Sequence, residues 1–333
     1  MILVTGATGH IGNVLVRTLL EKGESVRALV LPGENLSPLA GASVEFIEGD
    51  ITQPSTLDRA MDGIRYVYHL AGMISILPGK NDLLRRVNVQ GTINILQACK
   101  RAKVKRLVYT SSIHAVARVP HGVMIDETIP FDPNNPYGEY DRSKAEASLA
   151  VIDATRQGLD AVLVCPTGVI GPCDYRRSEL GQVILDCVAE KPQLYVDGAY
   201  DFVDVRDIAQ GLILACEKGR QGETYILSGE RITVDSLITI VKNIAHLHFI
   251  KLRIPMSLAR FAAYFTPTYH RLTHTKPRFT AYSLEVLESN SVISNTKARL
   301  ELGYSPRSIT DTLSDTINWF ITNKNKLLPS ATR

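Results

Sequence analysis

The sequence predicts an α/β protein, with a doubly wound parallel sheet followed by a smaller, mostly helical C-terminal domain. Two observations support this. Short apolar segments of strand length alternate with helix-like segments through the first half, which is typical of a parallel sheet covered on both faces. From about residue 232 onward, helical and irregular segments dominate. The strand-like segments are MILVTG, SVRALV, VEFIEG, YVYHLAG, RLVYTSS and DAVLVCP.

Helices are predicted between these strands, at Gly12–Lys22, Asn81–Lys103 and Asp141–Gln157. A later helix at Val205–Lys218 and a strand at Thr224–Leu227 are expected to return to the same sheet. Segments that contain proline and glycine interrupt the alternation after Pro166. The predicted division is therefore interleaved: residues 1–166 with about 200–228 form one domain, and about 167–199 with 229–325 form the other.

Composition excludes several protein classes. The chain has 333 residues, 45% hydrophobic and 21% charged, with a net charge of +3. It has no long basic run, so we expect no nucleic-acid partner. Five cysteines without a C-x-x-C pair, and a start that runs directly into a strand, predict a reduced cytoplasmic protein. We expect no metal, because the eight histidines lack ligand spacing, and His114 is better explained as a loop or core residue.

No apolar run reaches about 18 residues, so no membrane span is expected. The segment Ile250–Phe265 is apolar but is interrupted by charged residues and by Pro255. We interpret it as a core or substrate-lining helix in preference to a helix that touches a membrane surface.

A glycine-rich turn, TGATGHIG, lies between the first strand and the first helix. Its G-x-x-G-x-x-G spacing supplies a tight turn, close approach of the backbone to a ligand, and close packing of helix on strand. The helix N-terminus then presents N–H groups and a positive dipole end to a pyrophosphate. This arrangement predicts a Rossmann-type dinucleotide site, with candidate binding residues Gly6, Thr8, Gly9, His10, Ile11 and Gly12.

The dinucleotide needs contacts at its adenosine end as well. Asp50, with Ile51 beside it, follows the third strand and can accept a hydrogen bond from the adenine amino group; a loop or N-cap aspartate is the alternative. The second strand ends at Val30 and Leu31, without the acid that usually holds the ribose 2′-hydroxyl of NAD. It also lacks an arginine for a 2′-phosphate. The cofactor is therefore NADP or NAD, and the missing acid slightly favours NADP.

Seven motifs occur in order along nearly the whole chain: TGATGHIG, HLAG at 69–72, VNVQGT at 87–92, YTSS at 109–112, Tyr140-x-x-x-Lys144, CPTGVIGP at 165–172 and DFVDVRDIA at 201–209. In this order they resemble the extended short-chain dehydrogenase/reductase superfamily, in its NAD-dependent epimerase/dehydratase group. The resemblance implies hydride transfer between a nicotinamide and a carbonyl or alcohol.

Tyr140 and Lys144 are four residues apart, so they share one face of a helix. By the resemblance, Tyr140 is the general acid or base and Lys144 holds the nicotinamide ribose. We expect Lys144 and the charge of an oxidised nicotinamide to lower the pKa of Tyr140 from about 10. Tyr137 is the competing tyrosine, but it has no lysine four residues later; a solvated pair on a surface helix is the structural alternative.

Ser112 ends the strand RLVYTSS and matches the family's catalytic serine, which holds the substrate carbonyl. Ser111 and Thr110 are alternatives, although strand alternation directs Ser111 away. Asn88 matches a supporting asparagine of the site, or is a buried residue that bonds backbone. The resemblance also places these residues beside the cofactor: Leu70, Ala71, Gly72, Pro166 and Thr167.

The late motif indicates the branch of the family. Sugar-nucleotide members carry an arginine where this chain has Tyr200, in GAYDFVDV. The apolar MISIL after HLAG and the apolar 250–265 region are more similar to dihydroflavonol reductases and 3β-hydroxysteroid dehydrogenases. We therefore expect an NAD(P)-dependent oxidoreductase of a bulky, fairly apolar small molecule. The alternatives are a nucleotide-sugar epimerase or dehydratase, and a non-catalytic redox sensor. The resemblance also implies a homodimer through INILQACKRA and AEASLAVIDA, although these helices suit burial on the sheet equally well.

Overall fold

The structure, a computed structural model, describes residues 1–74, 81–273, 280–324 and 327, with residues 266–273 described by their backbone only. The α/β class predicted from the alternation of strands and helices is confirmed. The MISIL segment extends into residues 75–80, so most of it lies outside the described residues.

Strands and helices alternate through the first part of the chain. The strands of this part are β1 (Ile2–Thr5), β2 (Val26–Val30), β3 (Glu45–Glu48), β4 (Tyr66–His69), β5 (Arg106–Thr110) and β6 (Ala161–Pro166). The helices are α1 (His10–Glu21), α2 (Leu57–Met61), α3 (Asn81–Leu84), α4 (Gly91–Ala102) and α5 (Glu139–Arg156).

The second part mixes shorter strands with helices. Its strands are β7 (Gly168–Ile170), β8 (Gln193–Tyr195), β9 (Ala199–Asp204), β10 (Thr224–Leu227), β11 (Glu230–Thr233) and β12 (Lys251–Arg253). Its helices are α6 (Glu179–Val188), α7 (Val205–Lys218), α8 (Val234–Ile244), α9 (Met256–Thr273), α10 (Ala281–Glu288), α11 (Thr296–Leu302) and α12 (Ile309–Asn323).

Within the described residues, seven parallel strands form the main sheet in the order β10-β6-β5-β4-β1-β2-β3. The strand order reverses at β1, and β4 follows β1 on the side away from β2. One apolar cluster joins one face of the sheet to α1 and α7, and another joins the opposite face to α2, α4 and α5. Burial on both faces explains why β6, AVLVCP, is apolar and buried throughout. The ligand crevice of such a sheet lies at the carboxyl ends of β1 and β4.

The chain leaves the main sheet after β6 and returns to it with α7 and β10, as the sequence predicted. Asp204 begins α7 by accepting a hydrogen bond from the Arg206 N–H at 2.8 Å. The excursion contributes β7, β8 and β9. The strands β11 and β12, which follow β10, join them in a separate sheet, β11-β9-β7, and a β12–β8 pair. A third apolar cluster packs these strands against α6, α8 and α12. This is the smaller, mostly helical part of the predicted fold; its residue boundaries remain a prediction.

The predicted helix Asn81–Lys103 is interrupted. Residues Arg85–Gln90 form a π-helical turn between α3 and α4. Such turns often occur at functional sites, where one extra residue changes the direction of a side chain. Asn88, a candidate site residue, lies in this turn. No helix in the described part of the chain is long and apolar enough to cross a bilayer.

Candidate active site

The glycine turn between β1 and α1 is tightly packed. Gly6 has a φ of +68°, and a Cβ there would lie 2.7 Å from the Ala71 nitrogen. A Cβ on Gly12 would lie 2.1 Å from the Gly6 carbonyl oxygen. Side chains are therefore excluded at both positions, as the motif requires. Gly9 is the N-cap of α1 and provides no side-chain cap.

The turn after β4 is held against the glycine turn by buried hydrogen bonds. The Thr5 hydroxyl contacts His69 Nδ1 at 2.7 Å and accepts from the Ala71 N–H at 3.1 Å. His69 is fully buried, and burial lowers its pKa to about 3, so the ring is neutral. These contacts bring Leu70, Ala71 and Gly72 to the carboxyl ends of β1 and β4.

An acid that the sequence analysis did not select lies beside Thr8. The Glu34 carboxylate accepts hydrogen bonds from the Thr8 hydroxyl at 2.5 Å and from the Leu31 N–H at 2.9 Å. Arg176 donates to both the Thr8 hydroxyl and Glu34, at 2.8 and 2.7 Å. Glu34 stands in the turn after β2, three residues beyond the position where an acid was sought. The acid is present in the sequence LPGE, but its position relative to the end of β2 depends on the conformation of the turn.

The segment that carries Arg176 also contacts the start of α1. His10 Nε2 lies 3.0 Å from the Pro172 carbonyl oxygen, and the Asn13 amide donates to the Cys173 carbonyl at 3.2 Å. Residues after β7 thus pack across the glycine turn. The dinucleotide site predicted from the first part of the chain is bordered by residues of the second part.

Tyr140 lies in the first turn of α5, and Ser112 follows β5. Burial raises the pKa of Tyr140 to about 12, and its hydrogen bond with the Ser112 side chain opposes this rise. Ser112 is buried, and its hydroxyl also accepts from the His114 N–H at 3.2 Å, so the capping alternative holds as well. Ser111 instead contacts Ser148, at 2.6 Å. The structure brings Ser112 and Tyr140 together and directs Ser111 elsewhere.

Lys144 is buried one turn after Tyr140. Its ammonium donates to the Thr110 carbonyl at 2.6 Å and lies 4.7 Å from the centre of the Tyr109 ring. Burial lowers the pKa of Lys144 to about 8. The pair is not the solvated surface pair that was weighed as an alternative. The expected lowering of the Tyr140 pKa by Lys144 is not observed, because burial of the phenol outweighs the other contributions.

Asn88 connects three elements at the site. Its amide bonds both the N–H and the carbonyl of Met73, at 2.7 and 3.0 Å, and donates to the Ser143 hydroxyl at 3.0 Å. A Cβ on Gly72 would lie 3.3 Å from Asn88 and 4.0 Å from the Lys144 nitrogen. Asn88 is therefore a buried residue that bonds backbone, and it also lies between Gly72 and the helix of Tyr140.

The remaining candidates lie at the ends of their strands. Asp50 accepts hydrogen bonds from the Thr52 N–H and hydroxyl, both at 2.8 Å, so it forms the local turn that was its alternative. Ile51 is buried. Pro166 ends β6, and the Thr167 hydroxyl donates to Asp201 at 2.6 Å.

An aromatic cluster borders the Tyr140 side chain. The Tyr200 hydroxyl lies 2.8 Å from His114 Nε2, and the two rings stack with centroids 5.8 Å apart. The His114 ring lies 6.3 Å from the Tyr140 ring, edge to face. Burial lowers the pKa of His114 to about 4. His114 is thus neutral and fixed beside the site, where the sequence analysis explained it as a loop or core residue and not as a metal ligand.

A small pocket opens beside this cluster. Its lining includes His114 and Tyr200 and is otherwise mainly aliphatic, with Arg118 and Asn290 as the other polar side chains of note. Ser289 also lines it, and the aliphatic lining residues are Ile113, Val116, Ala117, Val119, Ile125 and Ile293.

A second polar group adjoins the aromatic cluster, since the Tyr282 ring lies 5.9 Å from the His114 ring. Asp141 is fully buried; it accepts from the Tyr282 hydroxyl at 2.6 Å and faces Arg118 at 3.7 Å. Burial raises the pKa of Asp141 to about 6, and its contacts with Tyr282 and Arg118 oppose the rise. Tyr282 belongs to α10, so the C-terminal part of the chain supports the helix that carries Tyr140.

These residues fit a nicotinamide dinucleotide. The absence of side chains at Gly6 and Gly12 lets the glycine turn pack tightly on the turn after β4 and on the start of α1. Gly9, where a Cβ would meet only the Gly6 carbonyl oxygen at 3.2 Å, is the glycine whose missing side chain leaves the backbone open to a ligand. The first turn of α1, which is described throughout, contains no acid and no side-chain cap, so its N–H groups can face a pyrophosphate. At the far end of the same crevice, Lys144 presents an ammonium, which has three donors and can bind ribose hydroxyls as well as the Thr110 carbonyl.

Comparison with known proteins agrees with the motifs. Residues 2–228 match the model of the NAD dependent epimerase/dehydratase family. The chain is 36% identical to sterol demethylase protein B of Methylococcus capsulatus, over 96% of this chain and 97% of that protein. It is 32% identical to a putative dihydroflavonol 4-reductase of Synechocystis, over 95% and 93%.

Two further comparisons support the same family assignment. A 3 beta-hydroxysteroid dehydrogenase/Delta 5-->4-isomerase of Mycobacterium tuberculosis is 30% identical, over 98% of this chain and 92% of that protein. The crystal structure of gox2253 superimposes with a TM-score of 0.85 at 33% identity and covers 98% of this chain and 99% of that one. The resemblance inferred from the seven motifs, including its two named branches, is confirmed.

Proposed function

The chain belongs to the NAD dependent epimerase/dehydratase family, and from this membership we propose that it transfers a hydride between a nicotinamide and a bulky, apolar ketone or alcohol. It is an oxidoreductase of the extended short-chain dehydrogenase/reductase type. Relatives that cover the chain end to end are named for a sterol, a dihydroflavonol and a hydroxysteroid. Each of these is a polycyclic compound with an oxygen that can change oxidation state.

In this proposal the cofactor lies along the carboxyl edge of the main sheet. When bound, the nicotinamide supplies or accepts the hydride. The N–H groups at the start of α1 hold the pyrophosphate, with Gly6, Gly9 and Gly12 allowing its approach. Lys144 holds the nicotinamide ribose, and Leu70, Ala71, Gly72, Pro166 and Thr167 line the path between them. Asp50 and Ile51 border the adenine.

Tyr140 holds the transferred proton at its phenolic oxygen. With a pKa raised to about 12, the phenol is protonated at neutral pH and is ready to donate to a developing alkoxide. The Ser112 hydroxyl, which already contacts this phenol, orients the substrate oxygen beside it. Asn88 positions the helix through Ser143 and closes the backbone around Gly72.

Tyr200 is the observation that carries the substrate class. A diphosphate-binding site would need a cation here, since arginine grips phosphate with paired, charge-assisted hydrogen bonds. Tyr200 instead is buried, bonds His114, and faces a largely aliphatic pocket. Arg118 also borders this pocket, but it is engaged by the Asp141 carboxylate at 3.7 Å and by the Tyr137 ring at 3.9 Å. An apolar ring system therefore fits this wall better than a sugar diphosphate does.

Substitution of Tyr200 tests whether the pocket binds apolar substrates. Tyr200→Arg adds a second cation, without an acid partner, to the pocket that Arg118 already borders. It is expected to raise KM for a steroid ketone about tenfold or more, because an unpaired charge must be desolvated. Tyr200→Phe retains the ring and should change KM only slightly. Equal effects of the two substitutions on KM would contradict an apolar pocket at this position.

The cofactor is a nicotinamide dinucleotide, and the NADP preference rested on a missing acid after β2. Glu34 supplies that acid from the following turn, 22 positions after Gly12, close to the spacing of about 20 at which an acid binds the ribose 2′-hydroxyl. Its carboxylate at Thr8 would repel a 2′-phosphate. We therefore propose NAD as the preferred cofactor, with Arg176 as the counter-charge of Glu34.

Titration of the chain with NADH and NADPH measures this preference. Glu34→Gln removes the charge and retains the size, so it should improve NADPH affinity relative to NADH by about tenfold, the scale of one lost like-charge contact. Asp58→Asn is a suitable control, because Asp58 is an exposed acid on α2. A wild-type preference for NADPH would favour the original prediction and overturn the role of Glu34.

A further inference from the structure

Asp141 is a buried acid that the proposed reaction does not use. It follows Tyr140 in the first turn of α5 and is 0% exposed. One of its carboxylate oxygens accepts a hydrogen bond from the Tyr282 hydroxyl at 2.6 Å, whereas the other has no hydrogen bond with the described residues and faces Arg118 Nη2 at 3.7 Å. A buried carboxylate is costly unless it is paired and hydrogen-bonded. Tyr282, which is 141 positions away in the sequence, therefore stabilises the charge beside the proton donor.

Tyr282 is also packed against the start of α5. Gly138 is the N-cap of this helix, and a Cβ there would lie 3.1 Å from the Tyr282 ring. The helix of Tyr282 begins with a capping box: the Thr280 hydroxyl accepts from the Ser283 N–H at 3.0 Å, and the Ser283 hydroxyl accepts from the Thr280 N–H at 2.9 Å. The first turns of α5 and α10 thus meet at Asp141 and Tyr282.

The residues that follow α10 line the pocket beside the site. Asn290 and Ile293 belong to this lining. The Asn290 amide donates to the carbonyls of Pro120 and Val123 at 3.0 and 2.6 Å, in the loop that carries Arg118. We call residues 280–294 the α10 segment. It therefore contacts the pocket and its loop at one end and the helix of Tyr140 at the other.

We propose that Asp141 and Tyr282 form a positioning pair that couples the substrate pocket to the proton donor. In this account, which rests on the proposed function, the α10 segment packs on the substrate and Tyr282 fixes the first turn of α5. The Tyr140 phenol is then held against Ser112 and the substrate oxygen. Such positioning matters because a displacement of about 1 Å can cost about 100-fold in rate. The pair acts through Tyr140 and not on the substrate itself.

The positioning pair predicts a pH dependence of turnover. Burial raises the pKa of Asp141 to about 6, and its contacts with Tyr282 and Arg118 oppose the rise. Above this pH the carboxylate is charged and holds both partners, whereas below it the neutral carboxyl holds them less strongly. We therefore expect kcat to fall as the pH decreases through about 6. The titratable and charged groups that interact with Asp141 are Tyr282 of α10, Arg118 of the loop after β5, Tyr200 of β9, and Tyr140 and Arg142 of its own helix.

Tyr282→Phe in the full chain tests the pair, with a steroid ketone and saturating NADH or NADPH. The substitution removes the hydroxyl and retains the ring beside Gly138. We expect kcat to fall about tenfold, as for a misplaced catalytic group, and cofactor affinity to stay unchanged. The acidic decline of kcat should move to higher pH, because Asp141 loses a hydrogen bond to its charged form. Tyr264→Phe is the matched control: Tyr264 is 80% exposed on α9, and this variant should behave like the wild type.

Asp141→Asn is the second variant, because it retains the size of the side chain and an acceptor for the Tyr282 hydroxyl but cannot titrate. Its kcat should no longer fall as the pH decreases through about 6. An acidic decline that persists in Asp141→Asn would overturn the proposal, and so would a decline that stays at the same pH in Tyr282→Phe. A wild type that oxidises neither reduced cofactor with any ketone would overturn the proposed function and the positioning pair together.

Discussion

At the scale of single residues, burial decides the protonation state of the proposed catalytic groups. Tyr140 loses solvent, so its phenol holds its proton more tightly, and Lys144 loses solvent, so its ammonium holds its proton less tightly. The raised pKa of Tyr140 runs against the simple expectation that a nearby ammonium lowers the pKa of the phenol. For oxidation of an alcohol, a positive charge near the phenol is then required to favour the phenolate.

Removal of the phenolic hydroxyl tests the role of Tyr140. Tyr140→Phe should lower turnover about 100-fold or more while cofactor binding is retained, because general acid–base assistance is typically of that size. Tyr137→Phe is the matched control, since Tyr137 is an exposed tyrosine of the same segment whose ring contacts Arg118. Unchanged turnover in Tyr140→Phe would exclude the proposed proton transfer.

The pH profile reports on Lys144. Its pKa lies near 8, below the ordinary 10.5, so the ammonium is charged below this pH and neutral above it. We expect kcat/KM for carbonyl reduction to be high on the acidic side and to fall as pH rises through about 8. Lys144→Arg, which retains the charge, should remove this decline even if its overall rate is lower. A wild-type profile that rises through the same pH would contradict the assignment.

Single residues also mark the limit of sequence analysis. Tyr140 and Lys144 could be selected because their spacing is local and matches a known motif, and Ser112 because it ends a strand and matches the family's serine. Glu34 and Arg176 could not, because their contact with Thr8 depends on the course of two turns that are 142 positions apart. His114 was interpreted as a loop or core residue. Its contact with Tyr200 could not be predicted, because the sequence does not show that β9 lies beside it.

At the scale of elements, the glycine turn is the part that the sequence specifies best. The motif, the strand before it and the helix after it are all local, and each appears where it was predicted. The π-helical turn at Arg85–Gln90 was not predicted, because a helical period cannot reveal one extra residue. Likewise, apolar composition alone cannot show which side of α9 faces solvent. Phe261 and Tyr264 of this helix are exposed, so the prediction of a core or lining helix is wrong for its largest residues.

Two alanine substitutions separate tight from tolerant positions in the glycine turn. Gly12→Ala would place a Cβ 2.1 Å from the Gly6 carbonyl oxygen, whereas Gly9→Ala would place one 3.2 Å from the same atom. We expect Gly12→Ala to destabilise the protein by about 1–3 kcal/mol, the usual cost of overpacking, and to abolish cofactor binding. Gly9→Ala should cost less stability. Chemical denaturation measures both, and equal losses would contradict the tighter packing around Gly12.

At the scale of the whole molecule, the two parts of the chain share one crevice. Residues after β7 contact α1, and Tyr282 of α10 supports Asp141 beside Tyr140. The return of β10 to the main sheet was predicted from the sequence and is observed, whereas the division into two interleaved domains remains a prediction. The contacts themselves could not be predicted, because they join residues far apart in the sequence.

Self-association is also a property of the whole molecule. A twofold contact through α4 and α5 would bury Leu149, which lies 36% exposed on α5. We propose a homodimer of this kind, and light scattering should give twice the chain mass of 36.7 kDa. Leu149→Lys should convert it to the single-chain mass. A monomeric wild type at micromolar concentration would exclude the dimer.

The central claim, an oxidoreductase of apolar rather than nucleotide-linked substrates, is tested most directly by calorimetric titration over saturating cofactor. The titrants are a steroid ketone, UDP-glucose and dTDP-glucose, each added to the protein with NADH and separately with NADPH. The account predicts heat of binding for the ketone, none for either sugar nucleotide, and oxidation of the reduced cofactor when the ketone is present. Tight binding of a sugar nucleotide, without binding of the ketone, would contradict the claim and place the chain among the epimerases and dehydratases of its family.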